Sequence, residues 1–128
     1  MTTSLNHRPG THVLADFWDC APGLDDADAL RRLLLSAAEA CGARAIDIKV
    51  HDFGEGAGVT GFALLAESHI SAHSWPELGY LAFDIFLCGD RDPAPALDIF
   101  RRHYRPAREE IRRVERGLAF SDRAGGGR

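Results

Sequence analysis

The chain has 128 residues, 45% hydrophobic and 27% charged, which is enough for one ordinary globular domain with its own core. Its formal net charge is −4, from 15 basic and 19 acidic residues, so it lacks the basic surface typical of nucleic-acid binding. No apolar run approaches the ~20 residues of a membrane span, and the N-terminus has no signal-peptide pattern. We therefore expect a cytoplasmic protein that binds neither nucleic acid nor membrane.

The counts of cysteine and lysine narrow the chemistry further. The three cysteines, Cys20, Cys41 and Cys88, are odd in number, widely spaced and without a CxxC pair. This pattern disfavours a disulfide framework and a structural zinc site. Lys49 is the only lysine, and a pyridoxal-phosphate enzyme needs a lysine for its Schiff base.

The first third of the chain predicts a strand followed by a helix. Residues 1–10 are polar and end in Pro9-Gly10, which indicates a flexible segment. Loose alternation of apolar and polar residues over 11–20 predicts the first strand. After a Pro-Gly break, acidic residues favour a helix start, and Gly42 ends the helix. Its apolar stripe recurs at three- and four-residue steps: Leu30, Leu33, Leu34, Ala37, Ala38 and Cys41.

The rest of the chain predicts mainly strands. Residues 43–53 and 59–67 form strands joined by a glycine-rich loop, and 68–74 either continue the third strand or begin a fourth. A turn over 75–79 leads to a strand over 80–88 with alternating apolar residues. A second helix begins at Asp92-Pro93 and ends before Pro106. Residues 111–116 form a weakly alternating last strand, and 118–128 form a flexible tail.

This order, β-α-β-β-β-α-β, predicts an α+β fold. We expect a two-layer sandwich in which two helices cover one face of a mainly antiparallel sheet. Residues 11–117 form a single domain in this interpretation. The uncovered sheet face needs either solvent or a partner, so we expect dimerisation through the sheet.

A polar cluster at the end of an apolar run marks the candidate site. Residues 66–77 read Ala-Glu-Ser-His-Ile-Ser-Ala-His-Ser-Trp-Pro-Glu and follow the apolar run 59–66. Polar groups near a core need hydrogen-bond partners, so such a cluster indicates a built site. A strand end also presents reactive groups on a rigid scaffold.

Two other patterns have structural explanations. The Gly54–Gly58 loop lacks the Gly-Lys-Ser/Thr ending of a phosphate-binding loop, so we interpret it as a hairpin loop. His69, His73 and Cys88 could form a zinc set. However, a four-residue step along a strand separates the two histidines by ~13 Å. We therefore expect no metal.

The combination of motifs resembles the prokaryotic, pyruvoyl-dependent class of S-adenosylmethionine decarboxylases, small enzymes of spermidine synthesis. The family segment Ala-Glu-Ser-His-Ile-Ser-Ile-His-Thr-Trp-Pro-Glu matches 66–77 except at Ala72 and Ser74. Residues 79–89 and 12–20 are similar to two further family segments. The resemblance covers roughly residues 10–117, and its central motif is long and specific.

The resemblance implies that the chain cleaves itself between Glu67 and Ser68, into chains 1–67 and 68–128. Ser68 would become the pyruvoyl cofactor, which forms a Schiff base with the substrate. His73 is similar to the family's processing histidine, and Thr60 to a hydroxyl residue that supports processing. Cys88 is similar to the residue that donates a proton to the product.

The resemblance also implies how the substrate and a partner are bound. Glu77 is similar to the glutamate that binds the ribose of S-adenosylmethionine, and Phe53 to the aromatic residue that stacks on adenine. A homodimer of cleaved αβ units is implied, in which the partner chain contributes to the pocket.

The residue types suit this chemistry. The Ser68 hydroxyl must attack the carbonyl of Glu67 in an N-to-O acyl shift, which needs a strained turn. His73 can then take the α-proton of Ser68, so that the ester eliminates. A thiol of ordinary pKa, about 8.5, is mostly protonated at neutral pH and could supply the proton that replaces carbon dioxide.

Three alternatives remain open. The same pyruvoyl chemistry could act on a free amino acid, ornithine or arginine, because residues 66–77 build the cofactor and do not select the substrate. A second alternative is an uncleaved, non-catalytic binding or regulatory paralogue. A plain metal-binding module is the weakest of the three.

Overall fold

The computed structural model describes residues 9–117. Its elements are β1 (Gly10–Trp18), α1 (Ala27–Ala40), β2 (Ala45–Asp52), β3 (Val59–Leu65), β4 (Ser68–Trp75), a 3₁₀ turn (Pro76–Leu78), β5 (Tyr80–Cys88), α2 (Ala94–Tyr104) and β6 (Arg108–Arg116). The flexible segments predicted at residues 1–10 and 118–128 lie outside this range except for Pro9 and Gly10, and Gly10 is instead the first residue of β1.

The strands form one antiparallel sheet in the order β2-β3-β4-β5-β1-β6. The predicted α+β class, with two helices and a mainly antiparallel sheet, is confirmed. The predicted element order lacked one strand. Leu65 and Ser68 pair across a two-residue turn, so residues 68–75 reverse direction and form a strand of their own.

The core lies between the helices and one face of the sheet. The Phe83 ring of β5 stacks on Phe100 of α2 at 4.1 Å and meets Phe17 of β1 edge-on at 4.8 Å. Leu30 and Leu34 of α1 are fully buried in the same cluster. Since burial of one such side chain is worth roughly 1.5–3 kcal/mol, this cluster anchors both helices on the sheet.

Local signals explain where the helices begin and end. The Asp26 side chain accepts a hydrogen bond from the backbone N–H of Ala29 at 3.0 Å, which caps α1 as the acidic run predicted. Helix α2 ends at Tyr104 and is followed by Arg105, whose φ of 44° is left-handed. Strand β6 begins three residues before its predicted start at 111, because its pairing with β1 extends to Trp18 and Arg108.

The opposite side of the sheet, here called the outer face, is not covered by either helix of residues 9–117. Five large apolar side chains on it are each 39–43% exposed: Leu14, Phe62, Leu64, Trp75 and Val114. Alternation with buried residues along β1, β3 and β4 places the first four on this face, and Val114 joins them because it pairs with His12 on the same side of β1. Within residues 9–117, neither helix combines the length and apolar content of a membrane span.

Candidate active site

The predicted cleavage point lies in the turn between β3 and β4. Glu67 has a φ of 63°, in the left-handed region that costs a non-glycine residue about 1–2 kcal/mol. Ser68 follows as the first residue of β4 and is only 7% exposed. Backbone strain and a buried hydroxyl therefore meet at one peptide bond.

Cys88 lies beside Ser68 at the end of β5. Its backbone N–H donates a hydrogen bond to Ser68 Oγ at 3.0 Å. Glu67 and Cys88 also line one open cavity of about 620 Å³. The structure thus brings together three of the predicted site residues, which we call the serine group (Glu67, Ser68 and Cys88).

The other four predicted residues gather at the opposite end of β4. Thr60 and His73 are paired across β3 and β4, and Thr60 Oγ1 lies 3.2 Å from His73 Nδ1. Both line a cavity of about 410 Å³ together with Phe53, Trp75 and Glu77. We call the four predicted residues at this end the histidine group (Phe53, Thr60, His73 and Glu77).

Aromatic stacking supports this second cavity across the outer face. The Trp75 ring stacks on Tyr80 at 5.2 Å, and Tyr80 stacks on Trp18 at 4.3 Å. The Tyr80 hydroxyl donates to Asp16 Oδ1 at 2.5 Å. Burial and this hydrogen bond raise the pKa of Tyr80 to about 12, so the hydroxyl keeps its proton and the contact persists at neutral pH.

The two groups do not meet within one chain. Positions 68 and 73 are five residues apart on the same strand, which corresponds to about 17 Å. Because five is odd, their side chains also point to opposite faces: Ser68 is buried towards the helices, and His73 is exposed on the outer face. His73 of the same chain therefore cannot reach the α-proton of Ser68.

The candidate zinc set of the sequence is not assembled either. His69 Nε2 lies 2.9 Å from Asp84 Oδ2, whereas His73 contacts Thr60. The sequence predicted that His69 and His73 lie far apart along one strand, and in the structure both residues belong to β4.

Sequence reasoning missed a polar cluster centred on Asp84 of β5, here called the Asp84 cluster (His12, His69, Ser71 and Asp84). Asp84 Oδ2 lies 2.7 Å from His12 Nε2 and 2.9 Å from His69 Nε2, and Ser71 Oγ donates to Oδ1. Burial would raise the pKa of Asp84, but these hydrogen bonds outweigh it and hold the pKa below its usual value. Alternation places all four residues on the polar side of their strands, yet only the strand order shows that they meet.

Two histidines and a carboxylate are also a possible metal-ligand set, with ligand atoms within 4.8 Å of one another. The donor pattern argues against this use. Arg116 Nη1 lies 3.0 Å from His12 Nδ1, and a guanidinium can only donate, so Nδ1 accepts and Nε2 carries the proton. A histidine that ligates a metal through Nε2 needs the reverse, with Nδ1–H donating to an acceptor. The side chains of the cluster are therefore arranged to hydrogen-bond to the Asp84 carboxylate.

Known proteins are similar to this chain in sequence and in fold. The S-adenosylmethionine decarboxylase family model matches residues 11–117. Relatives named S-adenosylmethionine decarboxylase proenzyme include one from Methanococcus aeolicus, 44% identical over 110 residues, covering 84% of this chain and 93% of the relative. One from Parasynechococcus marenigrum is 45% identical over 109 residues, covering 84% of each chain. The crystal structure of the Aquifex aeolicus adenosylmethionine decarboxylase matches with a TM-score of 0.78 at 33% identity, covering 85% of this chain and 91% of that one. The chain therefore belongs to the S-adenosylmethionine decarboxylase family.

Proposed function

We propose that this chain is a pyruvoyl-dependent S-adenosylmethionine decarboxylase that cleaves itself between Glu67 and Ser68. Its product would supply aminopropyl groups for spermidine synthesis in the cytoplasm, and residues 11–117 would form the catalytic domain. Family membership and the word proenzyme in the relatives' names support self-processing and this substrate. The observation that carries the proposal is the left-handed Glu67 next to the buried Ser68 hydroxyl.

The serine group is suited to start the cleavage. Ser68 Oγ accepts the Cys88 N–H, and among the described residues nothing accepts the proton of the Ser68 hydroxyl. Oγ attacks the carbonyl carbon of Glu67, and the C–N bond breaks to give an ester and a free amine at residue 68. The left-handed turn at Glu67 is relieved when this peptide bond is lost.

Elimination from the ester completes the cofactor. A histidine takes the α-proton of residue 68, the ester C–O bond breaks, and Glu67 leaves as the carboxylate end of chain 1–67. Water then replaces the nitrogen at residue 68, which releases ammonia and leaves a pyruvoyl group. The buried position of Ser68 fits such a group, because the hydroxyl and the amide nitrogen are both at the end of β4 beside Cys88.

Decarboxylation uses both groups of residues. The pyruvoyl group supplies an electron sink for the loss of carbon dioxide. Cys88, which lines the same cavity as Glu67, would protonate the carbon that loses the carboxylate. Glu77 would bind the ribose and Phe53 would stack on the adenine, and both line the cavity of the histidine group.

We further infer that a homodimer completes the active site. The five partly exposed apolar side chains of the outer face form a surface suited to a second copy. In a two-fold dimer the same face meets itself, so one copy's β4 can run antiparallel to its partner's. This arrangement would bring the histidine group of one chain to the serine group of the other and make two equal sites.

Intact-mass measurement and substrate assays test the activity. We expect two chains that break after Glu67, a carbonyl-reactive N-terminus at residue 68, and release of carbon dioxide from S-adenosylmethionine. A single 14.0 kDa species would favour the uncleaved, non-catalytic paralogue. Release of carbon dioxide from ornithine or arginine, but not from S-adenosylmethionine, would reject the proposed substrate.

Complementation between two inactive variants tests the dimer. Ser68→Ala and His73→Ala chains with different tags should each stay uncleaved when made alone. When the two are co-expressed, the His73→Ala chain should be cleaved, because its intact Ser68 meets the intact His73 of the other variant. Cleavage of His73→Ala alone, or no cleavage in the mixture, would contradict a shared active site.

A further inference from the structure

The Asp84 cluster lies next to the strand end that the proposed cleavage would leave free. After cleavage, β4 begins at residue 68 and has no covalent link to β3. His69 is then the second residue of the new chain, and its Nε2 lies 2.9 Å from Asp84 Oδ2. A side chain that fixes His69 therefore also fixes the backbone next to the reactive group.

Asp84 connects this strand end to the strand that carries the proton donor. Asp84 and Cys88 belong to the same strand, β5, and His69 follows Ser68 directly on β4. The contact between Asp84 and His69 is thus a side-chain link between the two strands whose ends must meet for catalysis. It adds to the main-chain pairing of β4 with β5.

The same carboxylate also links the two products of cleavage. His12 belongs to chain 1–67, whereas Asp84 and His69 belong to chain 68–128. One carboxylate oxygen, Oδ2, lies within 2.9 Å of the Nε2 atoms of both histidines. Hydrogen bonds to a charged acceptor are roughly twice as strong as neutral ones, so this connection remains when the covalent link is lost.

Aromatic rings restrict His69 to one orientation. Its imidazole lies between Phe62 and Phe86, with ring centroids 5.6 and 5.8 Å away. Phe86 packs over Gly10, where a Cβ atom would lie only 2.5 Å from the ring. Because the His69 imidazole cannot tilt freely between these two phenylalanine rings, its hydrogen bond to Asp84 sets the position of the first residues of β4 along β5.

We propose that Asp84 is a positioning residue for this reaction. Through His69 it holds the group at position 68 beside Cys88, and through His12 it fixes both relative to the N-terminal chain. The inference rests on the proposed function, since it assumes the cleavage at Glu67. A displacement of about 1 Å can cost 10²-fold in rate, so loss of this link should affect turnover more than substrate binding.

Kinetics of Asp84 variants test the role. Asp84→Ala should still be cleaved but lose roughly 10- to 100-fold in kcat, with little change in KM. Asp84→Asn should retain more kcat, because its carbonyl oxygen can still accept from His12 and His69. Asp47→Asn is the matched control: Asp47 is a strand aspartate paired with Lys49 at 3.5 Å, outside the cluster. Its kcat should equal that of the wild type.

A double variant separates positioning from general stability. If His69 acts through Asp84, His69→Asn should lower kcat in the wild type but add little to Asp84→Ala. Should Asp84→Ala fail to fold, the same cycle is run with Asp84→Asn. Independent, multiplicative losses would overturn the role, as would Asp84 variants with wild-type kcat or with effects confined to KM or to Tm. A wild-type chain that stays at 14.0 kDa would instead overturn the proposed function and this role together.

Discussion

Strand β4 carries a buried serine at each end, and the two serve different purposes. Ser68 and Ser74 are both 7% exposed and both face the helices. The Ser74 hydroxyl is fully used: it accepts the Val59 N–H at 3.0 Å and donates to the Leu24 carbonyl at 2.7 Å. The Ser68 hydroxyl accepts one hydrogen bond, from Cys88, and its proton has no acceptor within residues 9–117.

This difference shows how neighbours decide the role of a residue type. At the Ser74 end, Gly58 approaches so closely that a Cβ atom would lie 1.9 Å from the Ser74 carbonyl oxygen, and the packing is tight. At the Ser68 end, the chain turns through a strained residue and opens into a cavity. Ser74 joins the sheet to the loop that contains Leu24, whereas the Ser68 hydroxyl has no such structural partner for its proton within residues 9–117 and can react.

The largest expected effect is the loss of cleavage when the reactive hydroxyl is removed. Ser68→Ala should remain one uncleaved species, because no oxygen is left to attack Glu67. Ser74→Ala should be cleaved normally and lose roughly 1–3 kcal/mol of stability, since it leaves buried groups unpaired. Intact mass and thermal unfolding measure both results. Cleavage of the Ser68→Ala chain would contradict this distinction between the two serines. Loss of cleavage in a folded Ser74→Ala chain would contradict it as well.

The next effect concerns the thiol at the Ser68 end. Cys88→Ala should be cleaved, yet kcat should fall by about 10²- to 10⁴-fold, because a positioned acid is lost. Cys20→Ala is the control: burial and the nearby Asp19 raise the pKa of Cys20 to about 11, and it lies outside the serine group. Normal turnover by Cys88→Ala in a carbon dioxide release assay would show that another group donates the proton.

A smaller effect is expected at the other end of β4. Phe53 is 61% exposed in the cavity of the histidine group. Loss of an aromatic stack is worth about 0.5–1.5 kcal/mol, so Phe53→Ala should raise the KM for S-adenosylmethionine by up to about tenfold. Ile46→Ala is the control: Ile46 belongs to β2, the strand that Phe53 follows, and is 53% exposed, so KM should stay unchanged. Equal KM values for both variants would remove Phe53 from the substrate site.

The smallest effect tests the strained turn. Glu67→Gly should remove roughly 1 kcal/mol of strain energy, because glycine adopts a left-handed φ without this cost. Cleavage should then slow by about fivefold. Asp19→Gly relieves a similar φ, 54°, away from the serine group and should stabilise the fold without changing the cleavage rate. Time courses of precursor mass compare the two. A rate for Glu67→Gly equal to that of the wild type would show that the strain does not assist the reaction.

The sequence alone was sufficient to predict the features that depend on residues close together in the chain. The contiguous segment 66–77 identified the family, and the match of the S-adenosylmethionine decarboxylase family model to residues 11–117 agrees with it. Three- and four-residue periodicity predicted α1, and alternation predicted β5 with its observed bounds. These features are local: side-chain spacing determines which face of a helix or strand is buried.

Only the tertiary structure decided which distant residues meet. His12 and Asp84 are 72 residues apart and touch because β1 and β5 are neighbours in the sheet. The separate fourth strand and the early start of β6 likewise follow from pairing. Periodicity specifies the faces of strands but not their order, so the contacts of the Asp84 cluster could not be predicted from sequence. The active-site segment was evident in the sequence, whereas the residues that neighbouring strands bring to its two ends, Thr60 beside His73 and Cys88 beside Ser68, required the fold.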